Sequence, residues 1–348
     1  MSRSELPRNQ VLVGDARRRL AELPEQSVDC AVTSPPFFQL RNYQVKGQIG
    51  LEDHVDGWVE ELRLVMAAVA RVLKPTGSVW LNLGDSFSRH TRAGAPRKSL
   101  LLGPERLGLA LIGEGWTIRN KVIFSKVNAM PNSVRDRLAC SWEVLYLLTR
   151  AEHYYFDLDA IRVPHRSRQP RRRPTAAASY PPQSSLPPSW AGPLAGNNTG
   201  LARLKAQGLV GHPLGANPRD VWSLATSNFR GAHFATFPPA LVVRPLLASC
   251  PERACVRCGK PWSRRPARIA GGLAVIGELR PLCCCRVRWQ RGIVLDPFFG
   301  AGTVGLVAEQ HDRDWLGIEL NPDFAKLAEE RIAAARCVPT PDRQRHAA

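Results

Sequence analysis

Thr33-Ser34-Pro35-Pro36-Phe37-Phe38 closes a short β-rich run, Val28 to Val32, and carries the groups needed to grip an amine. The diproline fixes two φ angles and removes two amide donors, so the turn is rigid and its carbonyls are predicted to be open acceptors. If the Ser34 hydroxyl and the Pro35 carbonyl accept the two hydrogens of an exocyclic amine, the nitrogen lone pair is drawn out of ring conjugation and can attack an electrophile. Phe37 would then stack on the ring, as an extruded base requires. A Pro-rich turn with aromatics packed beneath it would read the same way, so the motif gains meaning only with a partner.

That partner lies near the other end of the chain. Gly292-Ile293-Val294-Leu295 reads as a buried strand, followed by Asp296-Pro297-Phe298-Phe299-Gly300-Ala301-Gly302-Thr303 and a helical stretch from Val304 to Gln310. Strand, glycine turn and helix N-terminus make a cradle for a nucleotide-like ligand with an anionic end. A second strand, Trp315 to Glu319, ends in an acid about 20 residues beyond the loop, where a ribose-diol acceptor is expected. Asn321-Pro322-Asp323 reads as a helix start. Gly300, Gly302 and Gly305 also spell a dinucleotide fingerprint, which keeps a nicotinamide-dependent oxidoreductase open as a reading.

The elements that must position these turns alternate. Val11 to Val13, Val28 to Val32, Ser78 to Leu83, Thr117 to Phe124 and Val144 to Thr149 read as strands, and Trp58 to Leu73 has helical apolar spacing that ends at Lys74-Pro75-Thr76-Gly77. Such alternation, with nearly all-apolar strands, predicts an α/β sheet covered on both faces. Residues 164–218 are crowded with Pro, Ser, Gly and Arg and are expected to be a flexible or DNA-ordered loop region. A Cys-rich insert then precedes the return to strand, loop and helix.

The paired motifs resemble the S-adenosylmethionine-dependent DNA amino-methyltransferases that modify cytosine N4 or adenine N6. The family's catalytic tetrapeptide corresponds to Ser34, Pro35, Pro36 and Phe37, and its donor loop to Asp296, Pro297, Phe298, Gly300 and Gly302, with Thr303 next in line. The catalytic motif comes first, as in the circularly permuted beta arrangement. The resemblance implies a Rossmann-like, mostly parallel methyltransferase sheet, an adenine-contacting acid at Asp15, a ribose-binding acid at Glu319, and a segment at 233–238 leading into a helix over the methionine moiety. Gly84-Asp85 resembles the turn closing the next strand. Serine at the first motif position tilts the expected target to cytosine N4, with adenine N6 the alternative. Double-stranded DNA is the implied partner, with a cognate restriction endonuclease as a further one. The implied division is 1–150 catalytic half, 151–217 recognition region, 218–249 return to the domain, 250–290 insert, 291–337 donor-binding half and 338–348 disordered tail.

Composition agrees with a polyanionic partner: 48 Lys and Arg against 30 Asp and Glu give a net charge of +18. Arg41, Lys46, Arg89, Arg92, Arg97, Lys98 and the run from Arg166 to Arg173 are expected to contact phosphates. A non-enzymatic DNA-binding protein remains the other alternative. No apolar run approaches the roughly 18 residues of a membrane span, and the first residues carry no signal-peptide core, so a cytoplasmic protein is expected. Six of the nine cysteines fall between Cys250 and Cys285. The spacing suits a structural zinc held by Cys255, Cys258, Cys283 and Cys285 in a ribbon-like insert, with Cys284 pointing away and Cys250 a substitute ligand. No Pro-Cys dipeptide occurs and Cys30 lies inside a strand, which argues against cytosine-C5 chemistry through a thiolate.

Overall fold

Alternation of apolar side chains along each strand divides the core in two. The computed structural model describes residues 6–165, 212, 214–226, 237–264, 267–268, 274–275 and 277–336. In chain order the elements are β1 (Gln10–Val13), α1 (Ala16–Glu22), β2 (Val28–Thr33), α2 (Val55–Val72), β3 (Leu73–Leu83), α3 (Gly103–Gly113), β4 (Thr117–Lys126), β5 (Trp142–Thr149), β6 (Val221–Leu224) and α4 (Pro239–Ser249). There follow the short insert strands β7 (Ala254–Cys255), β8 (Trp262–Arg264), β9 (Ala267–Arg268), β10 (Ala274–Val275), β11 (Leu279–Pro281) and β12 (Trp289–Gln290). The chain then returns to the main sheet with β13 (Ile293–Asp296), α5 (Thr303–Gln310), β14 (Asp314–Glu319) and α6 (Pro322–Arg336).

One eight-stranded sheet has the order β1-β14-β13-β2-β3-β5-β4-β6. Seven strands run in one direction, and β5 alone runs against both its neighbours. In β2, Ala31 faces a core layer with Trp58, Leu62, Leu107 and Leu111, whereas Cys30 and Val32 face the opposite layer with Leu241, Val304 and Ile332. Helices α2 and α3 therefore cover one face, and α4, α5 and α6 the other, the arrangement that parallel strands buried on both sides demand. Helix α2 buries Val55, Trp58, Leu62, Val65, Met66, Val69 and Val72, an apolar stripe at helical spacing.

The pairing of β13 with β2 places the tail beside the head, with Val294 opposite Cys30 and Leu295 opposite Ala31. At the foot of these strands Lys74 Nζ donates to Asp29 Oδ1 at 2.7 Å, and Asp29 Oδ2 accepts from the Ile293 amide at 3.0 Å. Both charges are buried, so the pair is tolerable only because each is hydrogen-bonded. This contact also explains a departure from the sequence reading. Lys74 to Gly77 belong to β3 and do not form a separate turn, with the register shifting between Val28 and Cys30 to absorb the Pro75 segment.

Candidate active site

Because β2 and β13 are parallel neighbours, the turns that follow them leave the same edge of the sheet. Thr33 Oγ1 donates to Asp296 Oδ1 at 2.7 Å, and the Phe298 amide donates to the same oxygen at 3.0 Å. Asp296 thus ties the two turns together from below; it is buried and does not line the cleft above it. Burial pushes its carboxyl up to about 7, and its other oxygen, Oδ2, has no partner among the described residues.

Two hydrogen bonds hold the diproline turn. The Ser34 hydroxyl donates to Asn82 Oδ1 at 3.0 Å. The Asn82 amide nitrogen donates in turn to the Val144 carbonyl at 3.1 Å, and that second bond decides which end of the amide faces the serine. Trp58 Nε1 donates to the Pro36 carbonyl at 2.9 Å. The expectation that both proline carbonyls are open is therefore corrected for Pro36, whose carbonyl is engaged by a fully buried tryptophan. Pro35 is buried beneath the turn, whereas Ser34 and Pro36 line the cleft. Phe37 is half-buried, and its ring lies where a side chain at position 84 would be: a Cβ on Gly84 would meet it at 2.6 Å.

Across the cleft, Gly300 and Gly302 adopt φ of +52° and +73°. A Cβ at Gly302 would also meet the Ala328 Cβ at 2.9 Å, so the turn packs on α6 only because the position is glycine. Pro297, Phe298, Gly300 and Thr303 line the cleft, while Gly302 faces α6. Arg331 secures this turn by donating to the Ala301 carbonyl at 2.9 Å and to Thr303 Oγ1 at 3.1 Å. Glu319, at the end of β14, accepts from the Gly300 amide at 2.7 Å through Oε2 and from the Asn321 amide at 2.9 Å through Oε1. Burial raises its carboxyl pKa. Asp15 lines the cleft from the end of β1 and caps α1 by accepting from the Arg18 amide at 3.1 Å. The whole cleft encloses about 840 Å³ including its mouth, a size ordinary for cofactor sites.

Comparison with known proteins agrees with this geometry. The profile of the N6/N4 methyltransferase family, described as DNA methylase, matches residues 28–330. The chain is a DNA methylase of this family. It is 32% identical to the Type II methyltransferase M.SmaI of Serratia marcescens over 96% of this chain and 94% of that one. Among solved structures its fold is similar to that of the cytosine-N4-specific PvuII DNA methyltransferase, with a TM-score of 0.56 at 17% identity, covering 95% of this chain and 92% of that one. TTHA0409 of Thermus thermophilus, complexed with S-adenosyl-L-methionine, matches with a TM-score of 0.50 at 23% identity over 94% and 95% of the two chains. The cofactor of the methylase is S-adenosylmethionine. The residues present fit it: two acids, Asp15 and Glu319, stand at the ends of adjacent strands, the N-terminus of α5 opens into the same cleft, and Ile49, Phe237 and Phe298 supply apolar wall.

At the opposite edge of the methylase sheet the sulfurs of Cys255, Cys258, Cys283 and Cys285 all lie within 4.8 Å of one another. Four thiolates about 2.3 Å from a tetrahedral zinc would stand roughly 3.8 Å apart, so a small adjustment would close the site. Hydrogen bonds from the Cys258 and Arg257 amides draw the Cys255 thiol down to about 7, whereas the hydrogen bond with Cys258 pushes the Cys285 thiol up to about 12, so the clustered sulfurs share protons that a metal would have to displace. Cys284 is exposed. Cys250 is corrected as a substitute ligand: it is buried in the core, its thiol hydrogen-bonded with that of Cys30. Cys30 is itself buried within β2, and desolvation raises its thiol pKa, so it supplies no thiolate nucleophile.

Several residues of the site carry no motif. Tyr43, Gln48 and Ile49 cover the cleft from the loop between β2 and α2, and Phe324 of α6 meets Tyr43 edge-on at 6.3 Å. Asn82 and Trp58 look like ordinary strand and helix residues until the fold brings them to the diproline turn. The run from Arg166 to Arg173 and residues 233–236 lie outside the described residues. Among the described residues no helix is long and apolar enough to cross a membrane.

Proposed function

We propose that this methylase modifies the exocyclic amine of a base flipped out of duplex DNA, N4 of cytosine in preference to N6 of adenine. The observation that carries the reading is that the Ser34 hydroxyl and the Gly300 loop face one cleft. When bound, S-adenosylmethionine supplies an electrophilic sulfonium methyl. Glu319 and Asp15 would hold its ribose and adenine, and the α5 N-terminus its carboxylate. With its proton given to Asn82, Ser34 Oγ keeps its lone pairs for the target amine, and the Pro35 carbonyl is the second acceptor. Phe37, backed by Gly84, would stack on the flipped ring. Neither Ser34 nor Asn82 is a base, so the two act by positioning and polarisation and leave the surplus proton to solvent.

Serine at position 34 and the fold shared with a cytosine-N4-specific enzyme support cytosine. We further assign residues 1–150 and 291–337 to the two halves of the catalytic domain and 250–290 to a zinc-bound insert. The Type II designation of M.SmaI supports a restriction endonuclease as a partner, and we place the site of action in the cytoplasm, where the DNA substrate is. Digesting DNA from cells expressing the protein to nucleosides, with chromatographic separation before mass measurement, tests the reading. N4-methylcytosine is expected; N6-methyladenine would overturn the base assignment, and 5-methylcytosine or unmodified DNA the chemistry.

A further inference from the structure

A flipped base leaves a hole in the duplex, and the chain must supply something to fill it or hold it open. Large apolar side chains exposed to water are ordinary when scattered, but four of them, Val127, Met130, Val134 and Leu138, fall on a single loop. The loop 127–141 joins β4 to β5 at the sheet edge from which the Ser34 turn emerges, because β4 runs with β2 and β5 runs against it. On that loop Leu138 is 90% exposed, Met130 87% and Val127 65%.

The tip is held rather than loose. The Arg137 guanidinium lies 3.8 Å from the centre of the Phe87 ring and donates to the Leu138 carbonyl at 3.1 Å. Lys98 pairs with Asp136 at 2.6 Å. Segment 86–100 is in turn joined to the diproline turn, since Ser86 Oγ donates to the Phe38 carbonyl at 3.0 Å. Leu138 is thus presented outward by neighbours that are themselves anchored next to the cleft. Charge around it suits a polyanion: segment 86–102 contributes Arg89, Arg92, Arg97 and Lys98, the loop adds Arg135 and Arg137, and Asp136 is the one acid in the two segments.

We propose that Leu138, with Met130 of the same loop, is the wedge that enters the base stack of duplex DNA when the target base leaves, while the surrounding arginines hold the phosphates. The proposal rests on the assignment of the cleft to a flipped base. It predicts a division of labour in which the basic residues set affinity and the two apolar side chains set the flipping equilibrium.

The methylated position is first read by sequencing plasmid DNA from cells expressing the wild-type chain, and a duplex is then made with 2-aminopurine at that position. With the full-length wild type and S-adenosylhomocysteine, fluorescence should rise several-fold as the base unstacks. The Leu138→Ala, Met130→Ala double variant should lose most of that rise and slow methyl transfer to the ordinary duplex about tenfold or more, with DNA affinity by anisotropy falling less than about threefold. An abasic site opposite the target, which removes the pairing to be broken, should restore the variant's rate. Because both side chains are exposed, the melting temperature should not move. Unchanged fluorescence and rate would overturn the wedge, as would a lowered melting temperature with flipping intact, since the loop would then be covered by the chain itself or by a second copy. A wild type that methylates no DNA would sink the reading of the cleft as well, whereas a methylating wild type with an indifferent double variant sinks the wedge alone.

Discussion

The two edges of the sheet are built in different ways. At the edge where the parallel strands end, the cleft is assembled from residues remote in sequence: Thr33 and Asp296, 263 positions apart, share a hydrogen bond, and Ser34 is oriented from β3 by Asn82. At the edge where they begin, the insert is local. Its strand pairs are two or three residues long, and its packing relies on Arg253 lying between Trp262 and Trp289 at 5.5 Å and 4.1 Å. Gly259 brings the insert to Lys74, whose side chain lies 3.8 Å from the position of a Cβ there. The difference teaches where each kind of order comes from. The cleft inherits its geometry from a large apolar core, whereas the insert has little core, and the four thiolates proposed to share one metal would supply the cross-link it lacks.

Breaking the cleft should separate chemistry from binding. Ser34→Ala is expected to lower single-turnover methyl transfer by about a hundredfold or more, the scale of losing one polarising contact, with donor affinity by calorimetry within a few-fold. Glu319→Ala should instead weaken the donor by more than about tenfold, since a charged hydrogen bond is worth roughly 1.5–3 kcal/mol. Equal losses of donor affinity in both would dissolve the distinction between the two turns. A smaller effect is expected one residue further back. Asn82→Ala should reduce kcat about tenfold without changing donor affinity; a fall in melting temperature with kcat intact would make Asn82 only a part of the β3–β5 pairing.

Testing the opposite edge asks whether the two are coupled. The purified protein should carry stoichiometric zinc, and chelation should accelerate amide exchange across 254–262 and lower the melting temperature by several degrees, with donor affinity changed by less than about twofold. Donor affinity that falls with the metal would show that the insert supports the cleft through β2, β3 and β13. A last test concerns stability and not activity, and turns on Asp296. Its folded pKa of about 7 lies above the ordinary 3.8, so the folded chain binds the extra proton between those values. Stability therefore declines as pH rises through that window and is level above it. Asp296→Asn keeps the Thr33 and Phe298 contacts but not the proton. The variant should gain on the wild type by up to about 1.4 kcal/mol per pH unit between pH 4 and 7, measured by urea unfolding.

Much of this was legible in the residues. Strands β2, β13 and β14 stood out because each is a short, mostly apolar run, broken in β2 only by Asp29, and α2 because its apolar residues recur at helical spacing. The glycine and diproline turns were legible because only special residue types permit such backbones. Asn82, Trp58 and Tyr43 were not, since an asparagine in a strand, a tryptophan in a helix and a tyrosine in a loop have many uses, and their role here is a matter of what the fold sets beside them. The start of β3 was misread for a related reason: Pro75 and Gly77 signal a turn locally, while Lys74 paired with buried Asp29 draws the segment into the sheet.

By itself, then, the chain's residue order determined the local pieces: two rigid turns with their chemistry, the periodicity of the elements that carry them, and a set of cysteines at metal-binding spacing. The tertiary structure alone decided that both turns share one edge, that Asn82 turns the Ser34 hydroxyl and Trp58 occupies the Pro36 carbonyl, and that Cys250 belongs to the core and not to the metal set. The physical reason is that backbone preferences and hydrophobic periodicity act over a few residues, whereas strand order and side-chain partnership are settled by packing among segments hundreds of residues apart.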